Sequence, residues 1–467
     1  MKNDLLNNHW IRNLLGSQWF PIVPQFIMLG IFCMIIVGGF GVNTDDMAFA
    51  KVLRNTNLAT LLVWAFWWPI MLIAATILGR VWCMVCPMEL VSSLATRIGL
   101  RRKVPAVLAR GWVIVIFYIL IMVIGMYTFK IHRVPHRMAI YMLVLFGTTL
   151  LTGLIFEKRA FCNYVCPVTY LLGLYSCLSI LEWRAKDSSV CKACKTKDCI
   201  AKDNCYKLTK HSCTSNLYPA TINDNRQCLL CTQCLKVCPS NNLRFSLRIP
   251  FDDFFRQIEL RNSEVGFLLV VSAFLIYDIL PEWSVTGKIL MWLPETIVNN
   301  LGVSGIASDV IAGIVLFLVL PVLLTLAVVA LAKVFSKESF GSIARGFGLM
   351  LLPTVACTHL VKGIFKVVSR IPYFKYAFSE PKGVETATGI YKGVITVDKS
   401  VLNVLEPITN YLWAVMAIAV LVVTLLILRS SPSLKKFNAG TKASLFLCVL
   451  FYWGVLALAI LMWRFSI

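Results

Sequence analysis

Charged residues are scarce in this chain. Aspartate, glutamate, lysine and arginine together make up 15% of the 467 residues, whereas hydrophobic residues make up 58% and the mean hydropathy is +0.76. A soluble chain of this length needs far more polar surface than these residues supply. The composition therefore excludes an ordinary soluble globular protein and predicts a protein that lies in lipid over much of its length.

Acidic residues are the scarcer of the two charged classes. The chain carries 23 acidic and 45 basic residues, which gives a formal net charge of +22. The basic residues lie beside apolar runs and not on a separate basic, aromatic-rich helix. We therefore expect anionic membrane lipid as a partner and no nucleic acid.

Nine apolar runs are predicted to span a bilayer as helices. They cover residues 20–40, 57–79, 106–129, 136–156, 265–280, 306–334, 343–368, 408–428 and 443–463, of which the fifth run is the shortest. The first run follows a polar stretch, and no small-residue cleavage site comes after it. We interpret it as a retained helix and not as a removed signal peptide.

Basic loops indicate the orientation of these helices. The stretches 80–103, 158–261, 333–345 and 429–442 are rich in lysine and arginine, and each follows an even-numbered predicted helix. The positive-inside rule therefore predicts an N-inside, C-outside protein in the cytoplasmic membrane of a prokaryote. One basic loop, at residues 130–137, is an exception because it is predicted on the outside.

The most specific motif in the chain is a run of four cysteines followed by proline. It reads Cys228-x2-Cys231-x2-Cys234-x3-Cys238-Pro239. This spacing is typical of bacterial ferredoxins, in which three close cysteines bind one [4Fe–4S] cluster and the fourth ligates the other cluster. Zinc is the alternative, but zinc sites more often use two separated cysteine pairs.

A second group of cysteines lies upstream of this run. It comprises Cys191, Cys194, Cys199, Cys205 and Cys213. By the exchange of ligands between paired clusters, the first three of these take Cys238 as their fourth ligand. The downstream triplet needs a fourth ligand from upstream, for which Cys213 is preferred and Cys205 is the competitor.

Two shorter cysteine motifs end the second and fourth predicted helices. They are Cys83-x2-Cys86-Pro87 and Cys162-x3-Cys166-Pro167, and they are called the Cys-Pro motifs below. The preceding Arg80, Lys158 and Arg159 would favour thiolates at these positions. Four thiolates could bind a third iron–sulfur cluster or another metal, or form a redox-active dithiol. Buried structural thiols are the alternative.

These patterns predict an all-α polytopic membrane protein of about nine transmembrane helices with a small inserted ferredoxin-like domain that binds two [4Fe–4S] clusters. We expect a four-helix membrane module with both Cys-Pro motifs at residues 1–181, the ferredoxin-like domain at residues 182–262 and a five-helix membrane module at residues 263–467. The clustered cysteines all follow even-numbered helices and are therefore predicted on the cytoplasmic side.

Two Cys-Pro motifs at helix ends, followed by a double-cluster segment, resemble the membrane polyferredoxins, the family that includes the NapH and NosR proteins of nitrate and nitrous oxide respiration. The resemblance covers residues 79–248, roughly a third of the chain. It implies electron transfer from quinol or a cytoplasmic donor to a respiratory or reductive partner. The first Cys-Pro motif departs from the family in having two residues between its cysteines where three are usual. The short members of the family do not cover the C-terminal five helices.

Histidine is rare, with five in the chain. His132 and His136 lie in a predicted outer loop, and His359 lies in the seventh predicted helix. We regard them as candidate cofactor-binding residues for a quinone or a b-type haem, with ordinary interfacial or buried polarity as the alternative. The sequence contains no Cys-x2-Cys-His, which excludes a covalently attached c-type haem on this chain. Lys362 and Lys366 are expected to extend to the membrane surface.

The sequence thus predicts a membrane-bound iron–sulfur electron-transfer subunit of an oxidoreductase complex. It would relay electrons between a redox partner on the cytoplasmic side and the quinone pool or another respiratory subunit. The expected partners are other redox subunits, membrane lipid and quinone. The alternative function is a metalloenzyme assembly or maintenance factor that reduces a metal ion or a thiol through the cysteines at the membrane surface.

Overall fold

The computed structural model describes residues 4–202 and 204–465. Eight helices in this part of the chain are long and apolar enough to cross a membrane: Ile22–Gly39, Leu58–Leu78, Pro135–Ile155, Asn262–Glu282, Ile306–Lys333, Phe340–Ser379, Leu402–Ser430 and Ala439–Phe465. A further apolar helix, Trp112–Thr128, is shorter. The predicted all-α polytopic membrane fold is confirmed, except that the third predicted helix, and not the fifth, is the short one.

Further helices lie before and between these spans. They are His9–Gly16, Met47–Thr56, Val81–Val85, Pro87–Ile98, Ala106–Ala109, Ala160–Tyr164, Pro167–Tyr175, Ser188–Ala193, Gln233–Val237, Ser284–Leu301 and Val384–Tyr391. Ser284–Leu301 was not predicted, because its apolar residues are interrupted by polar ones and by Pro294 and form no continuous hydrophobic run.

Within the described residues, three of the apolar helices contain a π-helical segment. These segments are Leu62–Trp67, Ile121–Thr128 and Val315–Val319. A π-helical turn adds a residue to the helical repeat and shifts the side chains that follow, and such turns are frequent at functional sites. The first of them carries Trp64.

The chain divides into two compact units. The first comprises Met1–Met34, Met71–Ile114 and Met142–Ile258, and the second comprises Ile35–Ile70, Val115–Tyr141 and Glu259–Ile467. All cysteines of the predicted motifs belong to the first unit, and the three candidate histidines belong to the second. The predicted boundaries at residues 181 and 262 stay a prediction.

A two-stranded antiparallel sheet supports the cysteine run of the first unit. Strand β1, Leu181–Ala185, pairs with strand β2, Leu243–Leu247, so that Trp183 lies opposite Phe245. Leu6, Trp183, Leu230 and Leu243 form a small buried core. Because Leu230 lies inside the Cys228–Cys238 run, the sheet holds Trp183 against that run.

Buried ion pairs hold the chain beside this two-stranded sheet. Arg248 and Asp253 pair with both side chains fully buried, and the Arg248 Nε donates to the Ser179 carbonyl oxygen at 2.9 Å. The buried Glu182 accepts a hydrogen bond from Arg256 at 3.1 Å. Buried charges are tolerated only when they are paired and hydrogen-bonded. These contacts therefore hold the segment that leads into β1 in place.

One long helix is central to the second unit. Phe340–Arg370 packs against the helices Asn262–Ile279, Leu320–Lys333, Leu402–Ser430 and Ala439–Phe465. Two of its lysines form ion pairs with carboxylates of the same unit. Lys362 lies 2.7 Å from Glu282, and Lys366 lies 2.7 Å from Asp278.

The expectation that Lys362 extends to the membrane surface is wrong. The residue is 3% exposed and paired with Glu282. Because Glu282 is distant from Lys362 in sequence, this contact could not be predicted from a local pattern. In a low-dielectric environment this pairing is favoured over a long excursion to water.

Gly383 offers a test of packing in the second unit. Its φ is +69°, its carbonyl oxygen accepts a hydrogen bond from the Thr56 hydroxyl at 2.8 Å, and a Cβ at this position would lie 2.3 Å from the Thr56 backbone. We expect Gly383→Ala to lower the thermal unfolding temperature of the detergent-solubilised protein. The left-handed backbone destabilises the alanine variant by about 1–2 kcal/mol, and the clash of its Cβ with the Thr56 backbone destabilises it further.

Gly393→Ala is the matched control, since Gly393 has a φ of +75° but nothing within 4 Å of the added Cβ. It carries the backbone strain alone and should unfold at a higher temperature than Gly383→Ala. Equal unfolding temperatures would show that the close approach to Thr56 is absent.

Candidate metal centre

The two Cys-Pro motifs fold in the same way. A short helix carries the first cysteine of each motif, Val81–Val85 in one and Ala160–Tyr164 in the other. The second cysteine is extended, with φ and ψ of −65° and 132° at Cys86 and −66° and 117° at Cys166. A new helix begins at the following proline. Proline at the first helical position excludes the helical conformation for the residue before it, so the sequence itself sets this turn.

The four thiols of the Cys-Pro motifs lie close together, and this set is called the Cys-Pro group below. Burial and the thiols of Cys162, Cys83 and Cys166 raise the pKa of Cys86 well above its ordinary value. Burial and the thiols of Cys162 and Cys83 raise the pKa of Cys166 to about 12. Buried thiols become thiolates when a bound metal compensates their charge, so the group is suited to metal binding.

A second set of four cysteines surrounds one cavity. The lining includes Cys213, Cys228, Cys231 and Cys234 together with Trp183, and these cysteines are called the Cys228 group. Burial and the thiols of Cys213 and Cys228 raise the pKa of Cys231 to about 12. Leu230 and Thr232 have φ angles of 58° and 60°, which turn the chain between successive cysteines. Positive φ angles at bulky residues are uncommon and cluster at ligand sites.

Hydrogen-bond donors point at the sulfur atoms of this group. The Trp183 indole N–H donates to the Cys234 Sγ at 3.1 Å, and the Leu217 backbone N–H donates to the Cys213 Sγ at 3.4 Å. N–H donors of this kind stabilise thiolate ligands and tune iron–sulfur clusters.

Cys205 lies outside the cavity of the Cys228 group. It is 6% exposed, and burial raises its pKa while the charge of Lys158 acts in the opposite direction. Its thiol interacts with Cys213 and Ser212. The structure therefore brings Cys213 and not Cys205 to the position beside Cys228, Cys231 and Cys234.

A third set comprises Cys191, Cys194, Cys199 and Cys238 and is called the Cys191 group. Burial and the thiols of Cys238 and Cys191 raise the pKa of Cys199 to about 11. Asn242 bridges the two ends of the group, because its backbone N–H donates to the Cys238 Sγ at 3.4 Å and its side-chain amide donates to the Cys191 Sγ at 3.2 Å. Cys238 thus lies with the upstream cysteines, as ligand exchange between paired clusters requires.

The three groups offer four thiols each, which is the ligand number of a [4Fe–4S] cluster. Across residues 4–202 and 204–465, no three His, Cys, Asp or Glu side chains converge as ligands of one metal ion would. The buried thiols and the N–H donors aimed at sulfur fit iron–sulfur clusters. The individual ligand assignments stay predictions.

Several residues of the site were missed by the sequence reasoning. Trp183 lies 51 residues from Cys234 in sequence, and no local signal connects them. Asn242, four residues after Cys238, could have been chosen from its place beside the cysteine run. Glu89 follows the first Cys-Pro motif. Because it is an acidic residue among apolar ones, the sequence alone could have marked it as a candidate site residue.

The candidate histidines have separate surroundings in the second unit. His359 is 3% exposed, contacts the Phe274 ring and accepts a hydrogen bond from the Trp68 indole N–H at 3.3 Å. The Nδ1 atom of His136 accepts a hydrogen bond from the Gly41 backbone N–H at 3.1 Å. His136 therefore has a local structural role at the end of its loop.

His132 lies in a polar, aromatic environment of the second unit. Its Nε2 accepts a hydrogen bond from the Arg133 Nε at 3.1 Å, and its ring lies 6.5 Å from that of Trp64. Burial and the charges of Arg133 and Arg54 hold its pKa well below the ordinary value, so the imidazole is neutral at pH 7. Among the residues that the structure describes, the buried atoms His132 Nδ1, Trp64 Nε1 and Arg54 Nε have no hydrogen-bond partner.

Comparison with protein families identifies the Cys-Pro segments. A family model described as a 4Fe-4S binding domain matches residues 60–105 and 138–181. Each matched segment contains one Cys-Pro motif and the helix before it. The match therefore falls on the Cys-Pro group and lies upstream of the ferredoxin-like cysteine run.

Two curated proteins of Methanocaldococcus jannaschii are similar to this chain, and both are uncharacterized. One is 27% identical over 220 residues, which cover 45% of this chain and 81% of the relative. The other is 24% identical over 196 residues, which cover 38% of this chain and 76% of the relative. No solved structure matches the chain.

The apolar helices and the family match together define the class of protein. The chain is a multi-pass membrane protein with a 4Fe-4S binding domain, and it is therefore an iron–sulfur protein.

Substitution at Cys213 and Cys205 tests the ligand assignment. We expect Cys213→Ser to lower the iron content of anaerobically purified protein by up to one cluster, about four irons, because the Cys228 group loses a thiolate. Cys205→Ser is the matched control and should retain full iron, since Cys205 lies outside the cavity. Loss of iron from Cys205→Ser with full retention in Cys213→Ser would reverse the assignment.

Proposed function

We propose that this chain is the electron-transfer subunit of a membrane oxidoreductase complex, similar in role to the NapH and NosR type polyferredoxins. It relays electrons between a redox partner on the cytoplasmic side and the quinone pool or another respiratory subunit. The observation that carries the proposal is the gathering of three four-cysteine groups within one compact unit. Clusters of this kind accept and donate single electrons, while the protein supplies position, burial and hydrogen bonds.

Three clusters are proposed, one in each cysteine group. The Cys191 and Cys228 groups form the paired clusters of the ferredoxin-like segment. The match of the 4Fe-4S binding domain to both Cys-Pro segments supports a third cluster in the Cys-Pro group. The similar folding of the two motifs, in spite of their different spacing, supports the same assignment.

The proposed location is the cytoplasmic membrane of a prokaryote, with the cysteine groups on the cytoplasmic side. The basic loops support this orientation through the positive-inside rule. The exceptional basic loop at residues 130–137 has part of its charge paired. Arg137 lies 3.1 Å from Asp45, and Lys130 lies 4.0 Å from Asp309.

The proposed donor or acceptor on the cytoplasmic side is a redox protein with an acidic face. Six lysines of the segment that follows the first cysteine of the Cys191 group are exposed: Lys192, Lys195, Lys197, Lys202, Lys207 and Lys210. Complementary charge speeds the encounter of redox partners and orients them. The Cys191 group lies in the same segment as these lysines, which favours it as the point of electron exchange with the partner.

The proposed quinone site lies in the second unit around His132. Unpartnered buried donors at Arg54 and Trp64, beside a neutral imidazole, suit the two carbonyl oxygens of a quinone. Because its Nε2 accepts the hydrogen bond from Arg133, neutral His132 carries its hydrogen on Nδ1 and offers a third unpartnered donor to a quinone oxygen. A quinone is preferred over a b-type haem because the Nε2 atoms of both His132 and His359 accept hydrogen bonds from protein groups.

The assembly-factor alternative is disfavoured by burial. Thiol or metal-ion exchange requires accessible thiolates. Cys83 and Cys162 are each 8% exposed, and burial raises the pKa of Cys162. A relay cluster needs no such access.

Quinol reduction of the clusters tests the function. Protein reconstituted in lipid under anaerobic conditions should lose its iron–sulfur absorbance when duroquinol is added. We expect His132→Leu to slow this bleaching about tenfold, because the proposed site loses a hydrogen-bond donor to the quinone oxygen. Bleaching by dithionite should stay unchanged, which shows that the clusters are intact.

His136→Leu is the matched control, since its ring bonds the Gly41 backbone outside the proposed site. It should bleach at the rate of the unmodified protein. Intact clusters that quinol does not reduce and that quinone does not reoxidise would refute the quinone relay.

A further inference from the structure

Each Cys-Pro motif carries a buried arginine at its start. Arg80 is 4% exposed and Arg159 is 1% exposed. They precede Cys83 and Cys162 by three residues each. A buried guanidinium is costly unless anionic groups lie beside it, so the partners of these side chains indicate their purpose.

Arg80 reaches from the first motif to the ferredoxin-like run. Its Nη2 donates to the Cys83 Sγ at 3.7 Å, and its Nη1 donates to the Arg226 carbonyl oxygen at 2.8 Å. The same charge acts on the Cys228 thiol. Arg80 therefore contacts the Cys-Pro group and influences the Cys228 group at once.

Arg159 repeats this arrangement from the second motif. Its side chain hydrogen-bonds the Cys162 thiol, and its charge acts on Cys231. Arg159 and Cys231 also line one small cavity together with Glu89. Among the described residues the buried Nη1 of Arg159 has no hydrogen-bond partner.

Glu89 distinguishes the two arginines. Its Oε1 lies 3.2 Å from the Arg159 Nε, and the Gln25 side-chain amide donates to the same carboxylate and to the Met84 carbonyl oxygen. Arg159 thus has a carboxylate partner of opposite charge. No acidic residue within the described ranges forms an ion pair with Arg80.

We propose that Arg80 and Arg159 form a cationic bridge between the Cys-Pro group and the Cys228 group, which raises the potentials of both clusters. The inference rests on the proposed function. When an electron passes between the two clusters, it leaves one and enters the other, and no bond forms and no proton moves. A reduced cluster carries one more negative charge than an oxidised cluster, so a nearby cation stabilises the reduced state.

The test is an EPR-monitored redox titration of anaerobically purified full-length protein. Cluster signals are assigned with the cysteine variants. We expect Arg159→Gln to lower the reduced-to-oxidised ratio of the Cys-Pro and Cys228 clusters about tenfold at a fixed potential, a shift of 59 mV for one electron. The Cys191 cluster should keep its potential, which makes it an internal control.

Two further variants separate charge from folding. Glu89→Gln should shift the same two clusters in the opposite direction, and Arg159→Lys should restore most of the original potential. A merely structural role would produce neither the opposite sign nor the rescue. Should Arg159→Gln fail to fold, these two variants still decide the question.

Arg256→Gln is the matched control, since Arg256 pairs with Glu182 and Asp252 and not with a thiol. It should leave all three potentials unchanged. Intact clusters that keep their potentials in every Arg159 and Glu89 variant, or that all shift equally, would overturn the bridge. Loss of the clusters from the unmodified protein would instead refute the proposed function.

Discussion

Burial of thiols at the ends of membrane helices is the constraint on which the candidate site depends. A buried thiol resists ionisation, and several buried thiols side by side resist it more, as the raised pKa of Cys86 illustrates. Such a set is stable as thiolates only around a strongly charged metal centre. The prolines after Cys86 and Cys166 turn the chain so that both thiols face inward. The buried Arg80 and Arg159 compensate part of the negative charge.

The membrane helices could be predicted because their signals are local. An apolar run of about 20 residues is a sufficient condition for a membrane helix, whatever it packs against. The spacing of the Cys228–Cys238 run likewise fixes which thiols lie near each other. The predicted helix 57–79 matches Leu58–Leu78 for this reason. The helix at residues 284–301 escaped prediction because its hydrophobicity is discontinuous.

The remaining features depend on contacts between residues that are distant in sequence. No local pattern connects Trp183 with Cys234, Lys362 with Glu282 or Glu89 with Arg159. The choice between Cys205 and Cys213 also depended on how the loop closes, since spacing alone permitted both. Within the candidate histidines, type and position could not separate His136, which bonds a backbone N–H, from His132, which lies beside unpartnered donors.

Metal and sulfide analysis of anaerobically purified protein tests the central claim most directly. Three groups of four thiols, each closed around an iron–sulfur cube, predict about twelve irons and as many acid-labile sulfides per chain. A colourless preparation without iron, or one in which zinc fills the same cysteines, would contradict the account.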